Sequence, residues 1–326
     1  MSTAVKNKSE ILFLYESIFS IPNGDPFTGE QRYDDETKKI LVSDVRIKRF
    51  IRDYLFEQKD EQGKNRYDLY VVNENSNGDN PDTAEKRFEK LTTKYKGYSS
   101  MDVLLNCIDV RMFGGLVTIK KKKAGKKGEM GEDEGEKVNS FSVTGPIQYA
   151  LLNPSLNQID LRMHQNTSVF ASKEVNKQGA IGTTTVVPYA INQIHGWINP
   201  YSAVHTHLTD EDVKIMLEAL WNSINNVNTR TKSNQNSLLL LKIVYSDPSK
   251  KLYGIDRLIT IDTKDKKSEQ LRSIDDYDFD LEKLIAAANS GAVSEILYHS
   301  EVEKINKALA GKSKFELMFT KDKGEK

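Results

Sequence analysis

The sequence predicts an α+β fold of the split βαβ, ferredoxin-like type, enlarged by insertions. Two segments with helical spacing of apolar residues alternate with four apolar, strand-like segments, in the order strand, helix, strand, strand, helix, strand. Polar or charge-rich stretches separate several of these segments and hold too few apolar residues to belong to the same core. With 326 residues, the chain has room for one such domain together with its insertions.

The composition is that of a globular protein without a membrane span. Hydrophobic residues make up 38% of the chain, and 47 basic residues balance 47 acidic ones. No apolar stretch approaches the roughly 20 residues that cross a bilayer, and no signal peptide is visible, so we expect a cytoplasmic protein. A net charge of zero implies that any nucleic-acid site is a local basic patch. Cys107 is the single cysteine, which excludes an intramolecular disulfide and a Cys-x-x-Cys zinc cluster.

The first predicted strand covers residues 11–21 (ILFLYESIFSI) and runs into a turn-rich PNGDPFTG segment. A helix follows and extends to about Phe56, with Ser43 or Asp44 in position to cap its N-terminus. The apolar residues that recur at helical spacing are Ile47, Phe50, Ile51, Tyr54 and Leu55.

Residues 60–82 are rich in Asn, Gly and Asp and are predicted to be an insertion, except for the strand-like LYVV at 69–72. A helical pattern over 82–95 follows. A second short helix is expected over 99–108, where a pair of serines can cap its start. Together these segments predict a small helical subdomain.

Two further core strands are expected over 110–119 (VRMFGGLVTI) and 141–151 (FSVTGPIQYAL). The tract between them, residues 120–137, reads KKKKAGKKGEMGEDEGEK. Because such a glycine-rich tract with blocks of like charge cannot bury apolar surface, we predict a mobile hairpin loop there.

The Thr- and Ser-rich residues 159–198 predict an extended β-rich excursion from the core. After it, Thr209-x-x-Asp212 is a capping-box variant that predicts the start of the second core helix. The apolar positions of this helix are Val213, Met216, Leu217, Leu220 and Ile224.

The last core strand is predicted over 238–245 (LLLLKIVY), a buried apolar run. Beyond it, residues 252–261 (LYGIDRLITI) are strand-like, and helices are expected near Leu281 and Val302. Removal of the insertions leaves the strand and helix order of a ferredoxin-like fold, which is also the order of RNA-recognition motifs.

A basic row on the first helix is a candidate phosphate site. Arg49 and Arg52 are spaced i and i+3, close enough to serve adjacent phosphates, and the helix start at 43–45 adds backbone N–H donors. The alternative is a solvated helix face beside Asp53 and Glu57.

Two other segments carry candidate RNA-binding residues. Arg111, Phe113 and Gly114 partly match the RNA-recognition-motif signature, in which a strand aromatic stacks a base; a core phenylalanine beside a glycine bulge is the alternative. Arg230 and Lys232 lie in NTRTKSNQ, where amides and hydroxyls favour contacts to phosphate or sugar; a plain surface loop is the alternative.

Enzymatic patterns are weak. His205 and His207 lack a His-Glu-x-x-His helix, and helix capping explains them. Asp25, Asp34 and Asp35 lie in a turn-rich loop and are more typical of turns than of phosphodiester chemistry. We therefore expect no cofactor, no metal and no catalytic residue.

Several long segments of this sequence resemble one protein family. The stretch IPNGDPFTGEQRYDDETKKILVSDVRIKRFIRDYL is similar to the N-terminal signature of the crRNA-binding backbone subunit of type I CRISPR Cascade, subtype I-B, in the RAMP superfamily. The similarity continues through VRMFGG, FSVTGPIQ, TSVFAS, GTTTVVPYAI, the HTHLTDEDV to EALWN stretch and NTRTKSNQNSLLLLKI. It covers roughly Glu10 to Tyr245.

This resemblance implies a palm like an RNA-recognition motif, helical fingers near 60–108 and a β-hairpin thumb near 159–198. The implied partners are a crRNA, the target DNA strand paired to it, copies of the same chain and other Cascade subunits. The resemblance adds further expected RNA contacts to the basic residues above: Ser43, Arg46, Lys48, Thr167, Ser168, Ser172 and Lys173.

The function implied is non-catalytic binding of guide RNA through its backbone, with base pairing left to read the DNA target. Two alternatives stay open. One is an RNA endonuclease of the type III backbone kind, which would use one of the three loop aspartates. The other is a general single-stranded RNA-binding module that acts alone.

Overall fold

The computed structural model describes residues 3–73, 82–120, 138–171 and 179–319, and the fold is a mixed α+β one. The strands are β1 (Ser9–Ser20), β2 (Tyr33–Asp34), β3 (Lys39–Ser43), β4 (Gly114–Lys120), β5 (Val138–Thr144), β6 (Ile147–Tyr149), β7 (Leu152–Pro154), β8 (Arg162–Ala171), β9 (Gly179–Ile198), β10 (Gln235–Tyr245), β11 (Thr260–Asp262), β12 (Asp278–Asp280), β13 (Val293–His299) and β14 (Phe315–Leu317). The helices are α1 (Asp44–Glu57), α2 (Ala84–Lys94), α3 (Ser100–Leu105), α4 (Ile108–Phe113), α5 (Pro200–Thr206), α6 (Asp210–Asn226), α7 (Glu282–Ala288) and α8 (Glu303–Leu309).

The chain divides into two compact units. Unit 1 contains Met1–Val5, Arg52–Ile147 and Asn199–Met216, and unit 2 contains Lys6–Ile51, Gln148–Ile198 and Leu217–Lys326. Among the helices of the described ranges, none is long and apolar enough to cross a membrane.

A large sheet forms the centre of unit 2. Its strands lie in the order β14-β13-β10-β1-β9-β6, and β8 extends from β9. The central strand β1 is antiparallel to both β10 and β9, so it is covered on both edges. Its first nine residues are all buried, and Phe13 packs against Trp221 of α6 with ring centroids 6.3 Å apart. Burial of both faces explains why this strand is an apolar run rather than an alternating one.

In the C-terminal part of unit 2, an apolar cluster packs helix α7 against the large sheet. It includes Leu239, Tyr277 and Leu284. The helices expected near Leu281 and Val302 are confirmed as α7 and α8. The strand expected over 252–261 is wrong for most of its length, because the chain turns through a 3₁₀ helix at Ile255–Arg257 before β11. Gly254 starts that turn with φ +63°, which a glycine adopts without strain.

Unit 1 contains the predicted pair of short helices. Thr83 caps α2 by accepting a hydrogen bond from the Lys86 N–H at 3.2 Å, and Ser99 caps α3 in the same way. Their apolar faces pack into one cluster with Val110 and Val117. Both helices are therefore confirmed, within a few residues of the predicted bounds.

The strand expected at 69–72 is wrong, because its backbone donors serve a carboxylate instead of a neighbouring strand. The N–H groups of Tyr70 and Val71 donate to the Asp109 carboxylate, at 2.8 and 3.0 Å. The side chain of Asp109 is fully buried, and these two hydrogen bonds give its carboxylate oxygens partners inside the protein.

The strand expected over 110–119 is half wrong. Its first residues belong to helix α4, and only Gly114 onward is extended, as β4. Gly114 has φ +81°, and a Cβ there would lie 2.4 Å from the backbone nitrogen of Gly145. The expected strand over 141–151 is likewise divided: β5 pairs only with β4, whereas β6 joins the large sheet.

The second core helix begins as predicted. The Thr209 hydroxyl accepts from the Asp212 N–H at 3.1 Å, and the Thr209 N–H donates to the Asp212 carboxylate at 3.1 Å. All five apolar positions predicted for this helix are buried. Residues 159–198 are β-rich as expected, since β8 pairs with β9 from Arg162 opposite Val186 onward. They are not an excursion throughout, because β9 pairs with β1 in the large sheet from Val187 opposite Ser20 to Ile198 opposite Ser9. Apart from Lys120, the charged tract at 120–137 lies outside the described residues.

Candidate nucleic-acid interface

The start of α1 is fixed by a turn that follows β1. The Asn23 side-chain oxygen accepts from the Ser43 backbone N–H at 2.7 Å and from the Ser43 hydroxyl at 2.8 Å. The same hydroxyl accepts from the Arg46 N–H at 3.3 Å, so Ser43 is the N-cap residue that the sequence predicts. This cap holds Arg46 in the first turn of the helix.

Arg46 and Lys232 form the centre of the candidate site, although they are far apart in sequence. Burial, followed by the nearby charge of Arg46, holds the pKa of Lys232 below its ordinary value. The Arg46 guanidinium also lies 5.1 Å from the ring centroid of Phe50. Two cations therefore share a half-buried region of unit 2, where their repulsion is only weakly screened.

The loop that carries Lys232 is tied to the end of β1. The Ile21 N–H donates to the Thr231 carbonyl at 2.7 Å, and the Ile18 N–H donates to the Asn234 carbonyl at 3.1 Å. Arg230 in this loop is exposed and lines a cleft of about 250 Å³. The NTRTKSNQ loop is thus held against the end of β1, which is distant from it in the sequence.

Two other predicted residues on α1 lie in unit 2. The Lys48 ammonium donates to the Gln148 side chain at 2.7 Å and to the Asp44 carboxylate at 3.3 Å, which anchors it beside β6. Arg49 is exposed. Of the two, Arg49 is therefore the more accessible to a ligand.

Arg52 and Arg111 are bound to carboxylates within unit 1. The Arg52 Nε lies 2.9 Å from the Asp109 carboxylate. Arg111 binds Asp212 through two nitrogens, at 3.1 and 2.6 Å. A glutamate at position 52 would face the buried Asp109, so charge reversal there would disturb the fold as well as any RNA contact.

Phe113 does not occupy the strand position that the sequence predicts for it. It ends helix α4 and is only 7% exposed, and the Arg52 guanidinium lies 5.2 Å from its ring centroid. Gly114 contributes a backbone turn at this point. The expected strand-borne aromatic is therefore corrected to a buried helix-end residue with a packing role.

The other predicted contacts are less fully described. Thr167 and Ser168 lie on β8, and Thr167 pairs with Ile181 of β9. Ser172 and Lys173 lie outside the described residues.

Two of the three loop aspartates, Asp25 and Asp34, serve turns. Asp25 accepts from the Phe27 N–H at 2.9 Å and is paired with Arg32 at 3.1 Å. The hydrogen bond from the Thr37 hydroxyl holds the pKa of Asp34 below its usual value. Within the part of the chain that the structure describes, no three His, Cys, Asp or Glu side chains come together in a way that would hold a metal ion.

The sequence does not point to Phe19, an aromatic residue that lines the cleft. Phe19 is 60% exposed and lines it together with His164, Thr184 and Arg230. The available signal was a bulky residue in SIFSIPN at the point where an apolar strand meets a turn, but the pattern gives no reason for that ring to leave the core.

Comparison with known proteins finds a matching family model and a related protein. A family model described as Cas_Cas7, CRISPR-associated protein Cas7, matches residues 7–282. A relative from Haloferax volcanii, a CRISPR-associated protein Cas7, is 27% identical over 300 residues, which make up 86% of this chain and 82% of the relative.

Solved structures are also similar. A chain of a "CRISPR RNA-guided surveillance complex" matches 91% of this chain and 90% of its own length, with a TM-score of 0.46 and 13% identity. A chain of the same kind of complex, "pre-nicking", has the same TM-score and identity and is covered over 93% of its length.

Proposed function

We propose that this chain, which belongs to the family of CRISPR-associated protein Cas7, is a non-catalytic, crRNA-binding backbone subunit of a Cascade surveillance complex for DNA targeting. The resemblance noted in the sequence assigns the complex to type I, subtype I-B. In this role several copies polymerise along one guide RNA and hold it for pairing with a DNA strand, together with other Cascade subunits.

The observation that carries the proposal is the approach of Arg46 to Lys232 in unit 2. Like charges held together in a half-buried site destabilise each other in the isolated chain. A run of phosphates removes that repulsion and releases counterions, which makes binding strong and dependent on salt. Because phosphates are the same in every nucleotide, such a site binds a guide of any sequence.

The large sheet supports a palm of the RNA-recognition-motif kind. Along the chain, β1, α1, β6, β9, α6 and β10 follow the strand and helix order of a split βαβ unit. In space, β10-β1-β9-β6 corresponds to the 4-1-3-2 order of that fold. The helical insertion near 60–108 is assigned to the fingers. The β8–β9 hairpin near 159–198 is assigned to the thumb, and the end of β9 that pairs with β1 belongs to the palm.

The proposed RNA contacts in the palm are Ser43, Arg46, Arg49, Arg230 and Lys232, with Lys48 at the rim. The β8–β9 hairpin supplies the contacts at Thr167 and Ser168, and Ser172 and Lys173 complete the set. We assign Arg52, Arg111, Phe113 and Gly114 to the internal structure of unit 1, because their contacts there engage the groups that RNA would need.

An endonuclease of the type III backbone kind is the less favoured function. It needs an aspartate with oxygens available to a metal or to the attacking group. The Asp25 carboxylate is engaged by two backbone N–H groups and by Arg32. Asp34 has comparable turn bonds to Glu36 and Thr37.

The direct test is the nucleic acid that co-purifies with the chain expressed beside a CRISPR array and its Cascade partners. We expect a discrete short RNA containing the guide. The double variant Arg46→Glu, Lys232→Glu should weaken binding at least about tenfold for guides of any sequence. Because this variant neutralises two fewer phosphates, the slope of log K against log salt should become shallower by about 1.4.

The matched control is Lys250→Glu, Lys283→Glu, which makes the same change in net charge at two exposed positions of unit 2. Its affinity and salt slope should stay close to those of the parent protein. Equal losses in both variants would mean that net charge, and not this site, governs binding. Regularly spaced cuts in bound RNA with Mg²⁺, abolished by Asp25→Ala, Asp34→Ala or Asp35→Ala, would favour the endonuclease.

A further inference from the structure

We propose that Phe19 is a stacking platform for one unpaired base of the bound RNA strand, with Arg230 and His164 beside that base. This inference rests on the proposed function and adds a base-contacting position to a site otherwise built for phosphates.

The first argument is the backbone at Phe19. Its φ is +44°, in the left-handed region that bulky residues avoid at a cost of order 1 kcal/mol. Hydrogen bonds on both sides hold it there, from the Ile18 N–H to Asn234 and from the Ile21 N–H to Thr231. Strain that the surrounding contacts maintain in this way is typical of functional sites.

The second argument is what this backbone does to the ring. The residues of β1 from Ser9 to Ser17 are buried and Ser20 is buried again, whereas Phe19 is 60% exposed. A regular strand would keep the alternation of faces, so the left-handed turn directs a large apolar ring outward. Folding gains little from an exposed ring, and a flat apolar surface is what a nucleobase requires.

The third argument is the composition of the cleft, which holds about 250 Å³. His164 on β8 pairs with Thr184 on β9, and both side chains line the cleft together with Arg230. An imidazole, a hydroxyl and a guanidinium can donate to a base edge, a ribose hydroxyl or a phosphate.

The cleft also continues into the proposed phosphate site along the chain. Thr231 lines the cleft, and the next residue is Lys232, which is held near Arg46. A nucleotide with its base on Phe19 thus has cationic side chains within the same loop for its phosphates. Stacking of this kind accepts any base, since every base has a π face.

The test uses Phe19→Gly and Phe19→Trp in the assembled complex, with guide RNAs that carry 2-aminopurine at one position at a time. Glycine removes the ring and adopts φ +44° without strain, so the variant should fold with unchanged or higher thermal stability. We expect RNA affinity to fall by roughly 5- to 150-fold, the usual range for loss of one base–aromatic stack. Quenching of 2-aminopurine at a repeated position should disappear with glycine and persist with tryptophan.

The control is Phe27→Gly, because Phe27 is 96% exposed in the neighbouring turn and does not line the cleft. It should leave affinity and quenching unchanged. If Phe19→Gly keeps both, while the Arg46 and Lys232 double variant still loses affinity, the stacking role is refuted and the proposed function stands. If the parent protein binds no RNA, the proposed function itself fails.

A second outcome would also overturn the inference. Phe19→Gly that keeps RNA affinity and quenching, yet no longer assembles several copies on one RNA, would make Phe19 a contact between copies of the chain.

Discussion

Arginines in the two units have opposite electrostatic surroundings. In unit 1, Arg52 and Arg111 each bind a buried or nearly buried carboxylate, of Asp109 and Asp212 respectively. In unit 2, Arg46 lies near another cation, Lys232, and burial followed by the Arg46 charge holds the pKa of Lys232 below its ordinary value. Removal of one partner in unit 1 leaves a buried charge unpaired, whereas an anion bound in unit 2 would reduce the repulsion between the two cations.

The contrast helps to separate structural from binding arginines in a protein with zero net charge. Helix spacing, a partial motif match and the family resemblance made all of them candidates for RNA contact. A buried carboxylate partner identifies a structural arginine, because removal of either charge leaves the other unpaired in a region of low dielectric. A like-charged neighbour marks a position where a bound polyanion would reduce electrostatic repulsion.

The largest expected effect is in unit 1, at Asp109. Asp109→Asn removes the charge that faces Arg52 and weakens two bonds from the 69–72 segment. We expect a loss of about 3–5 kcal/mol in the free energy of unfolding, measured by denaturant titration. Glu89→Gln, on the exposed side of α2, is the matched control and should change it by less than about 0.5 kcal/mol. A small loss at Asp109 would remove the contrast between the units.

A smaller effect is expected at Asp212, whose carboxylate both pairs with Arg111 and closes the capping box by accepting from the Thr209 N–H. Asp212→Ala removes both interactions and should cost about 2–3 kcal/mol. Asp212→Asn keeps a capping oxygen and should cost less. Equal losses from the two variants, compared by thermal and denaturant unfolding, would mean that the ion pair provides all of the stabilisation.

In unit 2, a substitution at Lys232 should raise the free energy of unfolding, whereas the substitutions in unit 1 lower it. Its pKa is lower in the folded chain than in the unfolded one, so the unfolded chain binds this proton more tightly and the charge destabilises the fold at neutral pH. Lys232→Met should therefore raise stability at pH 7 by less than about 1 kcal/mol, since the side chain is partly exposed.

This gain should shrink as the pH rises through the folded-state pKa toward the ordinary lysine value of about 10.4, where the parent protein loses the same charge. The variant should also bind RNA several-fold more weakly. A variant less stable than the parent at pH 7 would contradict the like-charge interpretation of this site.

The smallest effect concerns Cys107, which reports on unit 1 alone. Burial raises the pKa of its thiol to about 12, so little thiolate is present at pH 8 and alkylation of the folded chain should be very slow. Asp109→Asn should accelerate labelling, followed by mass spectrometry, because it lowers the free energy of local opening. Lys232→Met should leave the labelling rate unchanged. Faster labelling in the Lys232 variant would indicate that the two units do not open independently.

Local patterns predicted helices α1, α2, α3 and α6 well, but they missed α4 and α5. Caps at Ser43, Ser99 and Thr209 need only a short polar side chain a few residues before an apolar stripe, so neighbouring residues decide them. The predictions failed at 69–72 and 110–119, where a short apolar run fits a strand and a buried helix equally well. There, the distant Asp109 carboxylate and the turn at Gly114 determined the outcome.

The residues of the candidate site likewise divide into those that the local sequence identifies and one that it does not. Ser43, Arg46, Arg230 and Lys232 are identified by residue type in polar segments, and the sequence names all four. Residue type does not identify Phe19, because its exposure results from a left-handed backbone that the loop before β10 imposes.

The amino-acid pattern is sufficient to identify the family, the two capped core helices, the buried central strand and the basic residues from which a binding site is drawn. Folding settles which of those basic residues bind carboxylates and which lie near another cation. Helix caps and apolar stripes act over a few residues, whereas electrostatic pairing acts through space between residues distant in the chain. Arg52 and Arg46 lie on one helix, yet Asp109 and Lys232 give them opposite roles.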